Sequence, residues 1–477
     1  MSTERQALAK NTGIQVVGKI FGTLLGLASF SLLLYALDTP GFGALTRAQT
    51  FASVFAIFVD FGLTLTATQM ISEPGADEGK ILSSMLTVRT LSALVFLSIA
   101  PISTLFMPET AGFRVAVLCF AGSFFFTSIA QVFVGVFQKR LALGRVAIAE
   151  TVNRLVAFLG VVGVGFFHRG LDGAASAFVI GAVVHLAIML TGVEKSTPIR
   201  FSWDSKVVRA IFTKSWPIGV SIIFNLIYLK GDVLFMWLFN RTDTEIGYYG
   251  AAYKVIDVVT TIPMTLMGLL LPLLIVAWET KNRPLFSKRM QDGFDVLVKL
   301  GIPFAIGSIF AGVPVMTFIK ADLTPAGQLL ALLGPTASAV FFGSLFSYTV
   351  IVIGKQRLMT FAYAFVAVVT IAGYAYFIPR FGMWAAAAMS LFAEVLISLL
   401  AIIVVTTTTK WIPNFSLLTK SLVASIAMGI GLYILRDTHV FILVPVGTII
   451  YVAILAVLGG PSPKSLLRLF GPDKTIV

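Results

Sequence analysis

Long apolar runs recur from one end of the chain to the other, separated by short clusters of charged, glycine and proline residues. Each lasts about twenty residues or more, which is what an α-helix needs to cross a hydrocarbon layer of about 30 Å. Bounding the runs by charge, Gly and Pro predicts spans near 14–36, 44–71, 81–104, 111–137, 144–166 and 172–192. After the polar stretch EKSTPIRFSWDSK (194–206), further spans are predicted near 208–239, 246–277, 294–318, 326–352, 358–378 and 383–406. A last pair near 415–435 and 439–459 precedes a polar tail. The expected fold is an all-α polytopic integral membrane protein of about fourteen transmembrane helices. Its expected organisation is an N-terminal lobe (1–193, helices 1–6), a C-terminal lobe (207–409, helices 7–12) and an additional helix pair with a short tail (414–477, helices 13–14).

Composition makes a soluble fold untenable, since 57% of residues are hydrophobic, 12% are charged and the mean hydropathy is +0.95. The polar N-terminus, MSTERQALAK, leads into a run too long for a signal-peptide core, so it is read as a retained first helix. The net charge of +13 would suggest nucleic acid in a soluble protein, but its placement says otherwise. With a cytoplasmic N-terminus, 21 of the 35 Lys and Arg fall in cytoplasmic segments and 5 (Arg169, Arg241, Lys320, Arg380, Arg436) on the opposite side. That bias is the positive-inside rule, and it predicts cytoplasmic N- and C-termini in a multi-pass protein. No nucleic-acid partner is expected.

Nine basic residues remain inside the spans, among them Arg47, Arg89, Arg154, Lys230 and Lys254, against six acidic ones: Asp60, Glu150, Asp232, Asp257, Asp295 and Glu394. A charge at mid-bilayer is costly, so each must face a cavity, a partner or the interface. Lys19, Lys214 and Lys299 lie near the cytoplasmic ends and can snorkel, as can Arg114 at the other side. Arg89 and Arg154 are too deep for that. Glu150 and Arg154, at i,i+4 spacing, can form a mutual ion pair or face a cavity. Lys230 with Asp232, and Lys254 with Asp257, either neutralise each other or form a cationic wall, beside Asn225, Tyr228, Tyr248, Tyr249 and Tyr253 as sugar-contact candidates. Asp60 and Glu394 are either paired with an arginine or able to carry a proton. Gly18, Gly22 and Gly26 form a stripe suited to close helix packing or a hinge. Pro217, Pro263 and Pro272 are expected to kink the seventh and eighth helices.

FGALTR (42–47) enters the second span as YGAAYK (249–254) enters the eighth, an offset of 207 residues that places Arg47 and Lys254 at matching positions. GAASAFVIGA (173–182) and WAAAAMSLFA (384–393) match at nearly the same offset, which suggests two parallel six-helix lobes with substrate between them. Catalytic signatures are missing from the sequence. GADEGK (75–80) lacks P-loop spacing, there is no G-x-S-x-G elbow, and the loops are too short for a catalytic domain. The single cysteine, Cys119, and three scattered histidines offer neither disulfide nor metal-ligand spacing. No catalytic residue, metal or cofactor is expected.

GFGALTRAQTFASVFAIFVDFGLTLTATQMIS (41–72) resembles the second-helix signature of the Wzx-type polysaccharide flippases in the multidrug/oligosaccharidyl-lipid/polysaccharide exporter superfamily. IYLKGDVLFMWLFNRTDTEIGYYGAAYKVIDVVTTIPMTLMGLLLPLL (227–274) resembles the same family more specifically, through a basic residue and Asp, Gly-Tyr-Tyr-x-Ala-Ala-Tyr-Lys, then Ile-Pro and Leu-Pro. The resemblance implies a flippase of the bacterial plasma (inner) membrane with a cationic central cavity. Such a protein moves a prenyl-pyrophosphate-linked oligosaccharide to the outer leaflet by alternating access. Arg47, Lys230, Asp232, Lys254 and Asp257 fall on matching positions, while Arg89 and Arg154 join by charge and depth. Lys230 stands where relatives often have Arg, which departs from a bidentate clamp. The implied partners are membrane lipids, the lipid-linked oligosaccharide, and a polysaccharide polymerase with chain-length machinery. The alternatives are a cation-coupled small-molecule exporter of the same superfamily, which calls for an acidic cavity, and a membrane-embedded glycan polymerase or ligase, which calls for a large outer loop.

Overall fold

The computed structural model describes residues 2–73, 75–140, 142–191, 193 and 200–460, and side chains from Gly13 onward except residues 16, 72, 217, 218, 221 and 225–230 in those stretches. Among the described residues the chain is all-α, with no strand. In chain order the helices are α1 (Ser2–Asp60), α2 (Leu63–Ser72), α3 (Glu78–Thr104), α4 (Ala111–Val132), α5 (Val134–Lys139), α6 (Leu143–Phe166), α7 (Leu171–Thr191) and α8 (Ser205–Leu238). There follow α9 (Asp243–Glu279), α10 (Arg283–Ile319), α11 (Thr324–Val352), α12 (Gln356–Phe381), α13 (Met383–Thr409), α14 (Ser416–Ile434) and α15 (Val440–Val457). Twelve described helical stretches are long and apolar enough to cross a membrane. The first of these, Gly13–Ile71, holds two spans, because Asp38 adopts φ 58° and Pro40 follows. Proline there has no amide to donate and crowds the carbonyl four residues back, so the helix bends out of its first span. With α8 included, fourteen spans result, as the apolar runs predict, and most ends agree within three residues.

Two of the predicted spans are interrupted. The second breaks at Phe61 (φ 34°) and Gly62 (φ 76°), separating α1 from α2. The fourth breaks at Phe133, between α4 and α5. Backbone groups freed inside a membrane need protein partners or a wet cavity, so breaks at this depth mark built features. Pro263 and Pro272 lie within α9, which runs through both without a break. Pro217 has a side chain outside the described residues.

The chain forms two compact units, Met1–Gly247 and Tyr248–Val477. In unit 1, α1 packs on α3, α4, α6 and α8, and α8 also packs on α2 and α3. The core beneath the breaks is aliphatic, with Leu63, Met70, Ile71, Leu82, Met85, Val132, Val136 and Ile211 drawn from α2, α3, α4, α5 and α8. In unit 2, α11 is the central helix, packing on α10, α12 and α13 with Leu329, Leu333, Ala337, Phe341, Leu345 and Phe346 buried. Gly312 and Gly327 let α10 and α11 touch, since a Cβ on Gly312 would lie 2.6 Å from the Gly327 carbonyl oxygen. The last pair, α14 and α15, is fastened to α10. There the Tyr451 hydroxyl donates to the Lys299 carbonyl (3.0 Å), and Gln291 exchanges two hydrogen bonds with the Asn414 backbone (3.1 and 2.8 Å).

Candidate functional site

Ion pairs sort the ends of unit 1 into two faces. At one end Arg47 of α1 meets Glu109 from the α3–α4 connection and Asp243 at the start of α9. At the other, Glu78 meets Lys139 and Arg140, Lys80 meets Asp204 (2.7 Å), and Lys214 meets Glu73. Odd-numbered connections meet odd and even meet even, as strict alternation of spans requires. Lys214, expected to snorkel, is therefore held by a carboxylate.

Arg47 is clamped on both sides. Its guanidinium donates to both carboxylate oxygens of Glu109, the second at 3.1 Å, and its Nε lies 2.9 Å from Asp243 Oδ1. The guanidinium also sits 4.2 Å from the Phe113 ring centroid, while Trp237 Nε1 donates to Glu109 (3.1 Å). Gly43 is what lets the backbones approach, because a Cβ there would fall 1.7 Å from the Asp243 carbonyl oxygen. This is a planar cation between two carboxylates and an aromatic face, the setting in which arginine differs most from lysine.

Arg89, deep in α3 and only 1% exposed, joins both helix breaks. It donates to Asp60, the last residue of α1 (2.6 Å), to Thr64 in the first turn of α2 (2.9 Å), and to Gln131, two residues before the α4–α5 break (2.6 Å). Thr64 also donates to Asp60 (2.7 Å). Asp60 keeps a third of its side-chain surface exposed. The pairing of Asp60 with an arginine, one of the two readings open from sequence, is what forms.

Arg154 is placed differently. It is the twelfth of the 24 residues of α6, about 17 Å from either end by helical rise, and its side chain is exposed. Glu150, one turn earlier, is exposed too, and no ion pair closes between them among the described residues. Lys19 of α1 and Arg154 both act electrostatically on Glu150. The glycine stripe explains the juxtaposition. Gly18 packs against Thr151, a Cβ on Gly22 would lie 2.9 Å from Arg154 Cδ, and Gly26 faces open space.

Asp232 of α8 is buried, with one carboxylate oxygen accepting from the Val233 amide (2.7 Å). The side chains of Asn225, Tyr228 and Lys230 lie outside the described residues. On α9, Tyr249 is buried and stacks obliquely on Tyr253 (5.6 Å between centroids), while Tyr248, Tyr253, Lys254 and Asp257 are partly or more fully exposed. Tyr249 OH lies 3.1 Å from Ser390 Oγ of α13, so it is committed inside unit 2. Glu394, also on α13, is 9% exposed. Sequence reading missed Glu109, Phe113, Trp237, Asp243, Thr64 and Gln131. Only Asp243 carried a signal, as an acid in the NRTDTEIG turn.

Residues 8–278 match the family described as polysaccharide biosynthesis protein. No curated protein matches the sequence. Among solved structures, the chain is similar to the lipid II flippase MurJ in an inward closed conformation, with a TM-score of 0.77 at 14% identity over 95% of this chain and 98% of that one. An inward-facing multidrug resistance MATE family transporter of the MOP superfamily gives 0.66 at 12% identity over 83% and 98%. The MATE multidrug transporter DinF-BH gives 0.61 at 13% identity over 87% and 96%. At such identities the likeness is one of fold.

Proposed function

The chain belongs to the polysaccharide biosynthesis protein family, and from that premise we propose that it is a flippase for a prenyl-pyrophosphate-linked oligosaccharide, moving it from the cytoplasmic to the outer leaflet of a bacterial inner membrane. The termini are then cytoplasmic, and a polymerase with chain-length machinery consumes the product outside. The observation that carries the reading is Arg154: an arginine exposed at the middle of a span cannot face hydrocarbon and needs a wet cavity. A pyrophosphate and sugars need such a cavity too. An inside-negative potential favours outward movement of each uncompensated anionic charge by about 2.3 kcal/mol per 100 mV, so no ATP site is required. Lys19 and Arg154 both act on Glu150, two cations to one carboxylate, which disfavours a cationic drug as cargo.

Purified protein in liposomes, given a fluorescent prenyl-pyrophosphate oligosaccharide, should expose it to an impermeant glycosidase faster than empty liposomes do. Arg154→Ala should slow this by about tenfold or more, the loss expected for one cavity cation worth roughly 1.4 kcal/mol, while folding is kept. Arg154→Lys should retain part of the rate. Equal rates with and without protein would end the flippase reading.

A further inference from the structure

Helix α6 exposes two different faces. Ile148, Leu159 and Phe166 are exposed on an apolar side, the side that suits lipid. Glu150 and Arg154 are exposed as well, but at about 100° per residue they stand roughly 120–180° round the helix from those three. The first span of α1 repeats the division. Val17, Ile20, Phe21 and Leu24 form its exposed apolar side, and Lys19 is exposed roughly 100–160° away from them. Gly26 lies two turns deeper on the Lys19 side, where a Cβ would meet open space. The two charged sides adjoin, since Thr151 Oγ1 lies 3.3 Å from the Gly18 carbonyl oxygen and Gly22 receives the stem of Arg154. They make one polar seam within unit 1.

Three charges share that seam. The contact of Gly18 with Thr151 sets Lys19 and Glu150 at nearly one level, and Arg154 lies about 6 Å deeper by helical rise. A Cβ on Gly22 would lie 2.9 Å from Arg154 Cδ and 3.4 Å from both Nε and Nη1, so the guanidinium is laid along the backbone of α1. The i,i+4 spacing permits a bond between Glu150 and Arg154, and none forms among the described residues. Lys19 and Arg154 nevertheless both act on Glu150 through space. The carboxylate is within electrostatic reach of two cations and is bonded to neither.

A membrane carrier must bind its cargo well enough to admit it and weakly enough to let it leave. Two cations with no counter-charge would hold a pyrophosphate tightly and stand bare inside the membrane once it departed. A carboxylate beside them repels the bound anion and balances the cations afterwards. We infer that Glu150 is the built-in counter-ion of the Lys19 and Arg154 site, displaced from them when a pyrophosphate binds and drawn back when it leaves, and that it sets the residence time of the cargo. This rests on the flippase reading above and names the residue that lets the cargo go. A carboxylate that served only to offset the cost of two intramembrane cations would affect folding and leave anion release alone.

Stopped-flow dissociation of fluorescent farnesyl pyrophosphate from the full-length protein in detergent tests it. Glu150→Gln should slow release and tighten binding by up to about fivefold, the size of one exposed charge pair, while Glu150→Asp should stay near the parent. Adding Lys19→Gln to Glu150→Gln removes one charge of each sign and should return release toward the parental rate. Inorganic pyrophosphate should displace the probe, and farnesol should not. Release unchanged or faster in Glu150→Gln, displacement by farnesol alone, or no binding of the probe by the parent would overturn the proposal. Should Glu150→Gln not fold, the double variant must still release the probe more slowly than Lys19→Gln alone. Slower release from Glu150→Gln without oligosaccharide movement in liposomes would end the flippase reading and leave the counter-ion standing. Movement with release indifferent to Glu150→Gln would do the reverse.

Discussion

Arg89 and Arg154 occupy similar depths in α3 and α6 of the same unit, yet their surroundings differ in every respect. Arg89 is enclosed, with Asp60, Thr64 and Gln131 accepting its hydrogen bonds across two helix breaks. Arg154 is exposed, and Glu150, one helical turn earlier, forms no ion pair with it. Depth alone gives a charge its cost, and the rotation of its helix decides how the cost is met. The enclosed arginine is part of the architecture: it ties together side chains that flank both helix breaks. The exposed one is available to a ligand.

The contrast is broken most severely at Arg89. Arg89→Ala should leave Asp60 without its cation and cost roughly 3–5 kcal/mol, seen as loss of folded protein in size-exclusion of detergent extracts. Pairing it with Asp60→Asn should recover part of the yield, because no buried charge then stands alone. If Arg89→Ala gave normal yield and a slow transporter instead, Arg89 would belong with Arg154.

Arg47 tests the middle ground, being clamped by charges but at the end of the spans. Arg47→Ala leaves Glu109 and Asp243 facing each other and should cost about 1.5–3 kcal/mol, with Arg47→Lys restoring only part, since an ammonium cannot bond both carboxylates side by side. Thermal unfolding in detergent reads this directly.

The smallest effect belongs to the water-exposed pair. Lys80, with the Val207 and Lys206 amides, holds the Asp204 carboxyl down to about 2. A carboxylate depressed in the folded state adds stability above the ordinary aspartate value of about 3.9, lost as pH falls toward 2. Asp204→Asn should therefore lower Tm slightly at neutral pH and leave it unchanged near pH 2. Unequal Tm values at the acidic end would remove the pair from the account.

The spans were legible because apolar run length is nearly all that a bilayer asks of a helix. The breaks were not. Phe61 and Gly62 sit inside an apolar stretch where glycine is common in any membrane helix, and nothing local says that the backbone turns left-handed there. Charged candidates could be ranked by depth, which counts residues, but not by facing, which depends on neighbours far along the chain. Glu109 is 62 residues from Arg47 and Asp243 is 196 away. The i,i+4 spacing of Glu150 and Arg154 suggested a mutual pair, and packing of Arg154 along Gly22 accompanies an open one instead. Local spacing made the pair possible, and the neighbouring helix decided its geometry.

Cysteine accessibility at position 154 tests most directly whether this arginine faces a water-filled, substrate-bearing cavity. Cys119 is the only native cysteine, so Cys119→Ser gives a clean background for Arg154→Cys. In liposomes or intact membranes, a charged thiosulfonate reagent should modify the new thiol, and prenyl-pyrophosphate oligosaccharide should slow that modification. A thiol that reacts only with membrane-soluble maleimides would place position 154 against lipid and contradict the account.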